Sequence, residues 1–104
     1  MLELVKIAAR ISNTAFDTQL LALIEAAIDD LRGVGAEFIA NPVPDSGVPT
    51  DYNVTDPRAK QAIVTYCLLH FSPSDYANLK TSYDEQKAQM RENTAYGMVD
   101  LGDA

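Results

Sequence analysis

The chain has one cysteine and one histidine, and Cys67 and His70 stand three residues apart. On a helix that spacing puts both on one face, where an imidazole could activate a thiol as a nucleophile. Their neighbours favour packing instead. Cys67 sits among Tyr66, Leu68 and Leu69, where a small apolar side chain belongs and a buried thiol is inert. His70 falls at the end of the same run, where a cation complements the helix dipole. One Cys also rules out an intrachain disulfide framework or a Cys-based zinc module. The adjacent carboxylates Asp29 and Asp30 point about 100° apart on a helix, which is poor geometry for chelating a metal. Asp45, Asp51 and Asp56 do not have EF-hand spacing and read as turn chemistry. No phosphate-binding glycine loop, HExxH, GxSxG or CxxC string is present. The sequence thus gives no catalytic, cofactor-binding or metal-binding set, and no enzyme is expected.

The elements around these residues read as helices. Leu4, Ile7, Ala8 and Ile11 recur at helical spacing over residues 2 to 11 and predict a short amphipathic helix with that face inward. Ser12-Asn13-Thr14 breaks it. Thr14 is placed to cap a second helix, with Asp17 in its first turn. Phe16, Leu20, Leu23, Ile24, Ala27, Ile28 and Leu31 form one continuous stripe along it. Gly33 or Gly35 ends it. From 36 to 55 the character changes: Pro42, Pro44, Gly47 and Pro49 exclude a regular helix. Tyr52 to Thr55 could be a short strand, but no partner strand is evident. A loop this long is a candidate contact element. Asp56-Pro57 opens the next helix, with Asp as N-cap and Pro at the first helical position. From Ala62 to Phe71 only Thr65 and His70 are markedly polar, the pattern of a central, buried helix. Ser72-Pro73 ends it. Ser74 or Asp75 would cap a last helix carrying Tyr76, Leu79, Tyr83 and Met90 on its apolar side, fraying near Asn93. The expectation is an all-α fold: a small bundle of three main helices plus a short N-terminal one, a long Pro/Gly/Asp-rich loop, and a flexible tail. Residues 1–93 form the helical domain and 94–104 the tail. Loop residues Asp45, Val48, Asp51 and Tyr52, together with Arg91, Tyr96, Met98 and Leu101, are the candidate partner contacts.

Composition narrows the function. The chain has 104 residues, a net charge of −7 and 47% apolar residues. That is enough for one domain and one modest core. The acidic balance argues against a nucleic-acid binder, which carries a basic face. There is no apolar run of the ~18 residues that a membrane-spanning helix needs. The opening MLELVKIAAR lacks a secretion signal's long apolar stretch, so an intracellular protein is expected.

Specific strings add a resemblance. Asp56-Pro57, Ala62-Ile63-Val64-Thr65-Tyr66, His70-Phe71, Asp75-Tyr76, Leu79-Lys80 and Ser82-Tyr83-Asp84-Glu85-Gln86-Lys87 resemble the head-to-tail connector (adaptor) proteins of tailed bacteriophages, also called phage DNA-packaging or gateway proteins. Phe16-Asp17, Leu23-Ile24-Glu25-Ala26-Ala27 and Asp30-Leu31-Arg32-Gly33 look like that family's long first core helix. The loop from Asn41 to Thr55 and the tail after Asn93 depart from it. The resemblance implies a structural virion protein of the phage neck, present in the host cytoplasm during assembly. It implies a homo-oligomeric ring, dodecameric in the family, between the portal protein and a stopper or tail-completion protein. DNA would pass through its channel without specific binding. From the helices alone, the alternative is a small dimeric regulatory or partner-binding module of the antitoxin kind.

Overall fold

In the computed structural model the backbone is described for residues 1–71 and 76–103, and side chains for residues 1–71 and 77–91. The expectations that Ser72-Pro73 ends a helix and that Ser74 or Asp75 caps the next lie outside the described residues. The chain runs α1 (Leu2–Ala9), α2 (Asp17–Gly33), β1 (Ala40–Val43), β2 (Asp51–Val54), α3 (Pro57–Phe71) and α4 (Tyr76–Asp103). The fold is mostly helical, as its periodicity implies, with one small sheet added.

α3 is the axis. It packs against α1, α2 and α4, and it buries Ala59, Ala62, Ile63, Thr65, Cys67 and Leu69. Thr65 satisfies its hydroxyl by donating to the Gln61 carbonyl at 3.0 Å. Asp56 caps the helix: its Oδ1 accepts from the N–H groups of Arg58 at 2.8 Å and Ala59 at 3.4 Å. α2 lays its stripe on α3, with Leu20, Ile24, Ala27, Ile28 and Leu31 buried. From α4, Tyr83 and Met90 are buried against the same core. Among the described residues no helix is long and apolar enough to cross a membrane.

α2 ends where glycine permits it. Gly35 takes φ +89°, and the Ala36 N–H returns to the Leu31 carbonyl at 3.2 Å, closing a Schellman turn. Its start differs from expectation. Thr14 does not cap it: the helix begins after Phe16 with no side-chain cap. Asn13 Oδ1 accepts the Ala15 N–H at 3.0 Å instead, and this local turn uses up the segment before the helix can begin. Phe16, taken as the head of the stripe, is 41% exposed and meets the edge of Phe71 at 5.2 Å.

Three further departures concern the periphery. The long loop is a hairpin: β1 and β2 pair antiparallel, with Ala40 opposite Val54 and Pro42 opposite Tyr52. Ala40, Tyr52 and Val54 face the core. Pro42 is tolerated because both strands of a two-stranded sheet are edges. In α1, Val5 is buried while Leu4 and Ile7 are 42% and 65% exposed; Ile11 lies beyond the helix and packs on the core. The expected inward face thus looks outward. Tertiary bonds set this rotation: the Leu2 N–H donates to Asp51 Oδ1 at 2.9 Å, and Lys6 pairs with Asp17 at 2.9 Å. Finally, the α4 backbone continues as helix to Asp103, past the end expected near Asn93. Gly97 and Gly102 weaken a helix by about 1 kcal/mol each without forbidding it.

Two neighbouring glycines give a test of opposite signs. An added Cβ at Gly33 meets nothing within 4 Å, so Gly33→Ala should stabilise the fold by about 0.5 kcal/mol. Gly35→Ala forces a side chain into the left-handed region and should destabilise by about 1 kcal/mol. Urea titration followed by circular dichroism reads both. Asp56→Ala, in the same assay, should cost about 1 kcal/mol through the lost cap.

Candidate functional site

The two residues that could have formed a nucleophile pair are separated by burial. Cys67 is fully buried in the core, and burial pushes its thiol up to about 12. A thiolate is therefore scarce at neutral pH. His70, about one turn further along α3, is exposed, with its ring against Tyr66 at 4.3 Å.

Asp30 has a structural task. Its Oδ2 accepts the Tyr83 hydroxyl at 2.6 Å and the Lys87 ammonium at 3.3 Å. This latch ties α2 to α4. Lys87 also lies 4.8 Å over the Tyr83 ring, and Tyr66 meets that ring edge-on at 5.3 Å. The Tyr83 hydrogen bond is the largest influence on Asp30; Lys87 adds to it, and together they outweigh partial burial to hold the carboxyl below its ordinary value. The Tyr83 hydroxyl is pushed up, first by burial and then by the carboxylate it serves. Asp29 points away, exposed. Among the described residues no group of three His, Cys, Asp or Glu side chains could hold a metal.

A second lock fixes the hairpin to the N-terminus. The Met1 ammonium donates to the Tyr52 carbonyl at 3.2 Å and pairs with Asp51 at 3.3 Å. Burial opposes charge on Asp51, yet the N–H groups of Leu2 and Tyr52 and the nearby ammonium leave its carboxyl lowered. Asp51 is thus committed within the chain. Tyr52, also expected as a contact, is 9% exposed and belongs to the core. Burial is the largest influence raising its hydroxyl, followed by Glu25.

The remaining expected contacts do lie outside. Asp45 is exposed at the hairpin tip. Val48, in the same tip, is 85% exposed. Arg91 is exposed on α4, beside Val34, Asp84, Lys87 and Ala88 in a shallow hollow of about 290 Å³. Tyr96, Met98 and Leu101 fall on the α4 backbone, but their side chains lie outside the described residues. The structure does not gather these positions into one site. It shows separate surfaces: the hairpin tip, the Arg91 side of α4, and an apolar groove that sequence reasoning missed. Leu4, Ile7 and Ala8 of α1 line that groove with Pro57, Lys60, Gln61 and Val64 of α3. The signal was available in α1, where Leu2 and Val5 on one side and Leu4, Ile7 and Ala8 on the other leave no fully polar face.

The arrangement offers surfaces to other macromolecules. A family model described as a phage connector protein matches residues 1–97. No curated protein and no solved structure gives a significant match.

The latch makes a pH-dependent prediction. Asp30 has a lowered folded value, so its contribution is complete above the ordinary carboxyl value and is lost as pH falls through the lower, folded one. Tyr83→Phe should cost about 1 kcal/mol at pH 7, below the usual range for a bond to a charge, because the carboxylate is partly exposed. The gap between variant and parent should shrink steadily below pH ~4. Denaturant midpoints measured from pH 2.5 to 7 would show a pH-independent gap if the latch were idle.

Proposed function

This chain belongs to the phage connector protein family, and on that premise we propose that it forms the ring joining the capsid portal to the stopper or tail. Membership itself makes it a structural component of the virion. The family match over residues 1–97 carries the reading, and it favours a connector over a regulatory dimer. Three physical features agree with a ring that DNA traverses.

The first is charge. The chain carries −7 overall, and Glu3, Glu25, Asp29, Glu37, Asp45, Asp84 and Glu85 are all exposed. An acidic wall repels phosphates and lets DNA slide without being held. The second is the surplus of outward apolar side chains, Leu4, Ile7, Ile39, Val43 and Val48, on a chain with a full core of its own. Such surfaces call for partners. The third is the length of α4. Its 28 residues span about 42 Å at 1.5 Å per residue. Its deepest described anchors are Tyr83 and Met90, so the helix from 94 to 103 continues beyond them and is available to a neighbour or the portal.

Electron microscopy of the purified chain, alone and mixed with the portal of the same phage, tests the reading. Rings seated on the portal are the expected result; no ring and no portal binding in either sample would refute it. A chain truncated before residue 94 should lose only the helical signal of the α4 turns removed and keep its thermal midpoint, since Tyr83 and Met90 remain, yet lose most of its assembly on the portal. Normal assembly by this variant would show that residues 94–104 are not a contact element.

A further inference from the structure

The groove between α1 and α3 is an open apolar feature of the surface that none of the described residues fills. It encloses about 470 Å³ and is lined by Leu4, Ile7, Ala8, Pro57, Lys60, Gln61 and Val64. Ile7 is 65% exposed along it. Lys60 is its one charged wall, and the Lys60 ammonium makes no ion pair among the described residues. Arg58 stands two residues away, and among the described residues its one ion pair is with the Asp56 carboxylate, at 3.8 Å.

The hairpin tip has the complementary character. Val48 is 85% exposed, and Val43 at the base of the tip is 45% exposed. Asp45 is exposed between them and has no ion-pair partner among the described residues. The tip thus offers an apolar knob with a carboxylate, and the groove an apolar socket with an ammonium, neither of them paired among the described residues.

Position matters as much as chemistry. Side chains on a helix advance about 100° per residue. Leu2 and Lys6 therefore share one flank of α1, and Leu4, Ile7 and Ala8 lie on the other. Leu2 lines a hollow with Val48 and Pro49, and Lys6 pairs with Asp17; that flank faces α2 and the tip. The opposite flank is the groove. Knob and socket occur once each per chain on opposite sides of α1, so one copy cannot fill its own groove with its own tip. Two different, complementary surfaces on one protomer are what head-to-tail association requires, and closure of such contacts gives a ring. Copies that each carry −7 repel at a distance. Their contact must rely on short-range apolar burial and local opposite charge.

We propose that the α1–α3 groove is the socket for the hairpin tip of a second copy of this chain, with Val48 seated against Ile7 and Val64 and Asp45 facing Lys60. This rests on the ring reading and assigns its subunit contact.

Ile7→Cys protein mixed with Val48→Cys protein and a short bismaleimide, in the presence of portal, should give a cross-linked dimer that neither gives alone. Cys67 is buried and stays silent. Lys60→Glu and Asp45→Lys should each lower assembly about tenfold, and the two together should restore most of it. All four positions are on the surface, and circular dichroism confirms that each variant folds. Wild-type rings without the mixed cross-link, and charge variants whose losses simply add, would overturn this contact while leaving the ring intact; a portal segment would then be the occupant of the groove. No wild-type oligomer with or without portal would overturn the ring and this contact together.

Discussion

Burial of α3 is the constraint on which the other elements depend. A chain of 104 residues can support one modest core, and α3 supplies its axis, meeting α1, α2 and α4. Ala59, Ala62, Ile63 and Cys67 are completely covered. Small residues at Ala59, Ala62 and Cys67 let the neighbouring helices approach, while Ile63 fills the space between them. Trimming such a buried isoleucine to alanine typically costs about 2–5 kcal/mol, a large share of the stability of a small domain. The rest of the chain wraps this helix, and what the wrapping leaves outside is the exposed surface.

Polar contacts then fix how the wrapping elements are turned. Asp30, Tyr83 and Lys87 set α4 against α2. Arg32 donates to the Ala40 carbonyl at 3.2 Å and lies over the Phe38 ring, leading the chain from α2 into β1. Asp51 receives the Leu2 N–H and the Met1 ammonium, joining the hairpin to α1. Each of these bonds is individually modest. Together they decide orientation: Val5 is turned inward and Ile7 outward, and the hairpin tip is held proud of the body. Thus a few hydrogen bonds determine which apolar side chains remain available to a partner.

The strongest periodicities were legible in the sequence. The stripe from Leu20 to Leu31 is buried residue for residue except at Leu23, which is half-buried. The apolar run of α3 is central, and Asp56-Pro57 caps it as its chemistry dictates. What failed depends on distant partners. A short strand over Tyr52 to Thr55 is legible, and the observed one is Asp51–Val54, but its mate at Ala40–Val43 contains a proline and no alternation to reveal it. The facing of α1 hinged on Asp51, forty-nine residues away, which no local pattern encodes. Among the expected contacts, Asp45, Val48 and Arg91 are on the surface, whereas Tyr52 is in the core, because β-strand alternation turns it inward with Val54.

A connector needs a fold that is rigid inside and adhesive outside. The described structure meets both demands: a buried α3 core, an acidic exterior, and exposed apolar groups concentrated on α1 and the hairpin. The central claim is that this chain physically joins heads to tails. Its most direct test is a phage in which the gene for this chain carries a nonsense mutation, with the lysate inspected by electron microscopy. The account predicts separate heads and free tails, restored to joined particles when the chain is supplied in trans. Complete, infectious particles in its absence would contradict it.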